Sequence, residues 1–146
     1  MKVSTRGRYG LQLMMELAVQ YGRGPVQVGS IAERHGLPPR YLHVLLGALK
    51  SAGLVKAQRG PTGGCELARP PAGITALEIF EALEGPIDPG PLDREPGQVT
   101  SSGERAVGSL WTQMGQAMRA VLAGCTLADL AARQLAHEGN EHGYGI

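Results

Sequence analysis

Residues Ser30 to Arg69 read SIAERHGLPPRYLHVLLGALKSAGLVKAQRGPTGGCELAR, and this stretch decides the fold. Ser30 with Glu33 three residues on is the pattern of a capping box, which opens a helix of about two turns. Gly36 breaks that helix. Pro38 pushes Leu37 toward extended geometry, and Pro39 suits the first turn of a further helix, where its missing N–H would have no partner anyway. This next helix runs to about Ala52 with Gly53 as its cap. Leu42, Leu45, Leu46 and Leu49 make its buried stripe, while Arg40, His43, Gly47 and Lys50 fall on a different face. Two short helices joined by a tight glycine turn form a helix-turn-helix.

Directly behind come an alternating run, Leu54 to Arg59, a glycine-rich turn, Gly60 to Gly64, and a second alternating run, Cys65 to Arg69. Together they predict a β-hairpin. A helix-turn-helix followed by a hairpin is the winged-helix arrangement, in which the hairpin tip reaches nucleic-acid backbone beside the groove that the helix occupies. Arg59, at the base of the tip, has the reach and fixed charge for phosphates or a minor groove, and the glycines allow close backbone approach. A nucleotide-binding phosphate loop fits Gly60 to Gly64 less well, since no helix opens behind it and no Lys-Ser/Thr pair follows.

Working outward, Leu11, Met14, Leu17, Ala18 and Tyr21 predict one stripe of a first helix ending at Gly22, and a short Val26-Gln27-Val28 run follows. Thr75 and Glu78 are a second capping box, and Leu77, Phe80 and Leu83 predict a fourth helix that stops at Gly85-Pro86. Residues 85–103 hold four Gly and four Pro and are expected to be a flexible linker. From Glu104 to Ala123, Val107, Leu110, Trp111, Met114, Met118 and Val121 keep one apolar stripe over about 30 Å. A stripe of that length beyond a linker is expected to pair with a second copy of itself in a two-fold dimer. Thr126 and Asp129 cap a short final helix through Leu135, and residues 139–146 are expected to be a loose tail. The expected fold class is mainly α with a small β-hairpin wing: a winged helix-turn-helix domain over residues 1–84, the linker, and a dimerisation helix with its short terminal helix over residues 104–138.

Charge divides the chain as the fold does. The net charge is only +1, but residues 1–69 carry ten Lys or Arg against three acids, a net of +7, and the remainder carries four Arg against ten acids, a net of −6. Such asymmetry points to one half that faces a polyanion and another that faces elsewhere. The length, 146 residues, suits one domain rather than a multidomain enzyme. No apolar run reaches the length of a membrane span and the start lacks a secretory pattern, so the expected location is the cytoplasm. Two cysteines, Cys65 and Cys125, exclude a disulfide framework or a Cys-rich zinc site. The chain lacks G-x-S-x-G, a catalytic carboxylate pair and a supported Cys-His pair, which argues against an enzyme. His137, Glu138 and His142 lack H-E-x-x-H spacing, so no metal site is expected. His35 is expected to meet the terminal carbonyls of its helix, and Cys65 to point inward with Leu67, a thiol switch being the alternative.

These residues resemble the Rrf2 family of bacterial winged-helix transcription regulators. The resemblance rests on Ser4-Thr5-Arg6-Gly7-Arg8-Tyr9, Ile31-Ala32-Glu33, Tyr41-Leu42 through Leu49, Ala52-Gly53-Leu54-Val55, and above all Arg59-Gly60-x-x-Gly63-Gly64-x-x-Leu67-Ala68-Arg69 with Ile74-Thr75 behind it. It implies a homodimer, with a repressor the expected kind, on a pseudo-palindromic operator in double-stranded DNA, helix 39–52 in the major groove and the 59–64 wing at the minor groove. By position it implies DNA contacts from Arg6, Arg8 and Tyr9, from Arg40, Tyr41, His43 and Lys50, and from Arg59, Gly60, Pro61 and Thr62. Many family members bind an iron–sulfur cluster through three cysteines after the fourth helix. Residues 85–111 here contain no cysteine, and Arg8 stands where some members have a carboxylate ligand. The expectation is therefore no cofactor, with a small molecule or a partner protein as the effector. A winged helix that meets an acidic protein instead of DNA is the competing reading; steep salt dependence and sequence preference on duplex DNA separate the two.

Overall fold

The computed structural model describes residues 4–60, 63–87 and 101–143. Helix α1 spans Thr5–Val19 and is opened by Ser4, whose side chain accepts from the Gly7 N–H. Leu13, Met14, Leu17 and Ala18 turn into the core. Tyr21 does not join that stripe: α1 has ended at Val19, and the side chain is exposed.

Helix α2, Val28–His35, begins three residues earlier than the sequence predicts. Gln27 takes the N-cap position, and the Ser30 N–H already donates to the Gln27 carbonyl at 3.1 Å, so the Ser30–Glu33 capping box does not form. The cause is a long-range pairing. Val26 and Cys65 exchange two backbone hydrogen bonds of 2.8 Å each, which hold Val26 extended and set where the helix starts. Gly36 then ends α2 in left-handed geometry, φ 63°, a conformation that only glycine adopts cheaply. Helix α3, Pro39–Ser51, follows with Pro39 in its first turn, and buries Leu42, Leu45, Leu46 and Leu49 as the spacing predicts.

Strands β1, Val55–Gln58, and β2, Gly64–Leu67, pair antiparallel with Val55 opposite Leu67 and Ala57 opposite Cys65. Cys65 and Leu67 point inward. A 3₁₀ turn, Pro71–Gly73, leads to α4, Ala76–Glu84, whose Thr75–Glu78 capping box forms in both directions. Its buried side chains are Ala76, Ile79 and Leu83, whereas Leu77 and Phe80 are half-buried. Helix α5, Ser102–Ala123, is opened by a box that the sequence reading missed, Ser101 with Glu104. Most of the expected 85–103 linker, residues 88–100, lies outside the described residues.

Helix α6 departs most from expectation. It spans Leu127–Gly143, so residues 139–143 are helical rather than loose, and residues 144–146 lie outside the described part. Its first residue, Leu127, is completely buried in the same core as Leu13, Ile31, Leu49 and Ile74. Thr75 and Thr126 form a bridge beside it, with Ala76 N–H donating to the Cys125 carbonyl and Leu127 N–H to the Ile74 carbonyl, both at 2.8 Å. An Arg119–Glu81 ion pair ties α5 to α4. The boundary expected at residue 104 is therefore not a boundary of the core: chain from beyond the linker completes the winged domain.

Candidate nucleic-acid interface

The four leucines of α3 are locked into the core, so the orientation of its opposite face is set by packing rather than by any ligand. Arg40, His43, Val44, Gly47 and Lys50 all lie exposed on that face. Across a groove of about 460 Å³, His43, Gly47 and Lys50 look toward Gln58, Gly60 and Gly64 of the hairpin. The hairpin keeps its tight form because of its glycines: a Cβ at Gly63 would overlap the Gln58 carbonyl, and one at Gly64 the Val26 carbonyl. Arg59 is exposed immediately after β1; Pro61 and Thr62 lie outside the described residues.

Arg6 and Arg8 are exposed near the start of α1. The same turn is fixed from below, where the Gly7 N–H donates to Glu84 Oε1 at 3.0 Å and a Cβ at Gly10 would overlap the Leu83 side chain. Tyr9 and Tyr41 are half-buried and meet edge to face, ring centres 6.1 Å apart, joining the start of α1 to the start of α3. The Tyr41 hydroxyl is buried without a hydrogen-bond partner among the described residues. This pair orients α3 on α1, whereas Arg40 and His43 are the side chains that α3 presents outward.

The electrostatics separate structural from available charge. Among the described residues the ion pairs engage Arg34 with Glu16, Lys56 with Glu66, Arg69 with Glu78 and Arg119 with Glu81. Arg6, Arg8, Arg40, Lys50 and Arg59 take no part in them. Five cations on α1, α3 and the hairpin thus stand exposed without carboxylate partners, an arrangement suited to phosphate. Glu78 titrates below its ordinary range: burial opposes this, but the Thr75 N–H and Arg69 outweigh burial.

Of the other sites singled out in the sequence, His35 departs from its expected place. His35 turns to α1, its Nε2 lying 3.3 Å from Glu16 Oε1 without hydrogen-bond alignment, instead of meeting the end carbonyls of α2. His137 and Glu138 are exposed on α6, beside a cleft of about 550 Å³ that Glu16 and His35 also line, and no group of three metal-ligating side chains forms among the described residues. Cys65 is buried, its Sγ directed at the Val26 carbonyl at 3.5 Å, and burial pushes its thiol up to about 11 against the effect of a backbone hydrogen bond.

On α5, Val107, Leu110, Trp111, Met114 and Val121 are exposed and Met118 is half-buried, with Val121 reaching 71 %. Val44 on the outer face of α3, and Gln58, Gln27 and Val28 at the groove, were not among the expected contacts; Val44 follows from the helical spacing of α3, whereas Gln27, Val28 and Gln58 are placed by the Val26–Cys65 pairing and the hairpin register, which leave no local trace in sequence.

The Rrf2 family model, described as an iron-dependent transcriptional regulator, matches residues 3–133. The HTH-type transcriptional regulator CymR of Bacillus subtilis is 44% identical over 131 residues, 90% of each chain. The solved structure of that protein, described as the global cysteine regulator of B. subtilis, superposes with a TM-score of 0.76 over 91% of this chain and 98% of its own. A solved structure of T. potens IscR has the same TM-score at 40% identity, covering 92% of this chain and 88% of its own. Fold, exposed basic face and relatives define the class, that of winged-helix, DNA-binding transcriptional regulators. Within that class the chain belongs to the Rrf2 family.

The donor set does not fit a family-type iron–sulfur cluster. Such a cluster is held mainly by thiolates. The chain has two cysteines in all, and one of them, Cys65, is closed into the core as a protonated thiol. Among the described residues no helix is long and apolar enough to cross a membrane.

Proposed function

We propose that the protein is a homodimeric transcriptional repressor that binds a pseudo-palindromic operator, with α3 in the major groove and the hairpin at the minor groove. The observation that carries this reading is the set of five exposed cations, Arg6, Arg8, Arg40, Lys50 and Arg59, that have no carboxylate partner among the described residues, spread over α1, α3 and the hairpin on elements whose other faces are buried. Arg40 and His43 read base edges, Arg6, Arg8 and Lys50 hold backbone phosphates, and Arg59 with Gly60, Pro61 and Thr62 approaches the minor groove. Tyr9 and Tyr41 set the angle at which α3 enters. The apolar stripe of α5 from Val107 to Val121 supports a two-fold pairing of copies, and a dimer places two α3 helices on one face of the duplex. Its signal is a small molecule or a partner protein.

Selection of bound duplexes from a random library at near-physiological salt tests the reading. The expected product is an inverted repeat with half-sites about one helical turn, roughly 10 bp, apart. Absence of enrichment by a folded, dimeric protein would overturn it in favour of a winged helix that binds protein.

A further inference from the structure

Two residues on the outward face of α3 are explained by neither the core nor the helix. Gly47 stands in the helix interior, where glycine is the least favourable residue apart from proline. Its backbone is helical and makes no use of glycine's left-handed freedom. A Cβ built there meets no atom within 4 Å, unlike Gly10, Gly63 and Gly64, where the added atom would overlap a neighbour. Among the described residues nothing asks for a missing side chain at position 47. Val44 lies one turn before it on the same side, 53 % exposed, between Arg40 and Lys50 along that face. A lone exposed valine is ordinary. This one is set among cations without carboxylate partners and beside a position stripped of its side chain.

In the major groove, the group that rewards an apolar contact is the 5-methyl of thymine. Valine is short, so its methyl groups reach a base edge only if the helix sits deep. A residue without a side chain beside it permits that depth.

We propose that Gly47 is the point of closest approach of α3 to the floor of the major groove, and that Val44 reads the 5-methyl group of a thymine there. This rests on the DNA-binding reading above and adds the base it discriminates. A methyl group at position 47 would hold the helix off the floor. Val44 has no hydrogen-bonding group, so what it distinguishes is a pyrimidine with a methyl from one without.

The test compares wild type, Val44→Ala and Gly47→Ala in parallel on a random duplex library. It then measures binding to the selected duplex with each thymine replaced in turn by deoxyuridine, which deletes the methyl alone. Deoxyuridine at one position should weaken the wild type about fourfold, the effect of one buried methyl, and leave Val44→Ala unchanged. Val44→Ala should lose its thymine preference at that position only. Gly47→Ala should melt about 2–4 °C higher, showing an intact and better helix, yet bind the selected duplex about tenfold more weakly or worse. The inference is overturned, with DNA binding intact, if the enriched half-site contains no thymine, if no deoxyuridine substitution affects the wild type, or if Gly47→Ala binds as tightly as wild type. Failure of the wild type to enrich any duplex would instead remove the DNA-binding reading on which it rests.

Discussion

Truncating Leu127 to alanine tests whether α6 belongs to the core of the winged domain. Leu127 opens α6, is completely buried with Leu13, Ile31 and Ile74, and donates its N–H to the Ile74 carbonyl at 2.8 Å. That hydrogen bond is made by the main chain and survives the change. What is lost is the isobutyl group, and the elements that pack against α6, α1 and the turn before α4, are held by their own packing and can close the space only in part. Leucine-to-alanine changes in such sites cost about 3 kcal/mol, within a range of about 2 to 5. With a urea dependence of about 2 kcal/mol/M, the unfolding midpoint should fall by about 1.5 M. The assay is equilibrium urea unfolding followed by far-UV circular dichroism and by the fluorescence of Trp111, the single tryptophan, on α5. One fixed protein concentration is needed, because the stability of a self-associating chain depends on it. Both probes should move together in one transition. A loss below about 1 kcal/mol, or a Trp111 transition separate from the dichroism, would refute the argument and return α5 and α6 to an independent unit.

Arg59→Ala removes one cation from each half of the proposed dimer, so it should weaken binding to all duplexes alike and reduce the slope of log affinity against log salt by about 2, measured by titration at several salt concentrations; an unchanged slope would mean that Arg59 does not contact phosphate. Met114→Asp places a charge in the centre of the exposed α5 stripe, and sedimentation should show a monomer with an unchanged dichroism spectrum; a dimer of wild-type strength would place the interface elsewhere. The Cys65 thiol should resist a thiol reagent at pH 8 until the protein unfolds, since burial raises it from 9.0 to about 11. Its protonated form is favoured in the folded state, so this contribution to stability is complete below pH 9.0 and is lost as pH rises toward about 11; Cys65→Ala should lack that loss in alkaline melting curves.

The elements that the sequence disclosed are those whose signals are local. The leucine spacing of α3, the Thr75–Glu78 box, Gly36 as a stop and the inward alternation of Cys65 and Leu67 each depend on neighbours within a few residues, and each stands as read. Where local signals competed with distant ones, the distant ones won. The Ser30–Glu33 box gave way to the pairing of Val26 with Cys65, and His35 met Glu16 of α1 rather than the end of its own helix. Gly139 did not stop α6, because a lone glycine costs only about 1 kcal/mol in a helix, too little to end one without a left-handed cap or a proline.

By itself the sequence determined a helix-turn-helix with a glycine-tipped hairpin, a basic first half, and a long apolar stripe on the helix after the linker, because periodicity, capping and turn chemistry act along the chain. Only the tertiary structure decided that Leu127, far beyond the linker, fills the core of the winged domain, that Tyr9 and Tyr41 brace one another, and that Arg6, Arg8, Arg40, Lys50 and Arg59 are left without carboxylate partners among the described residues. Burial and charge pairing belong to residues brought together from distant parts of the chain, and the acids that neutralise Arg34, Lys56, Arg69 and Arg119 are assigned to them only when the chain has folded.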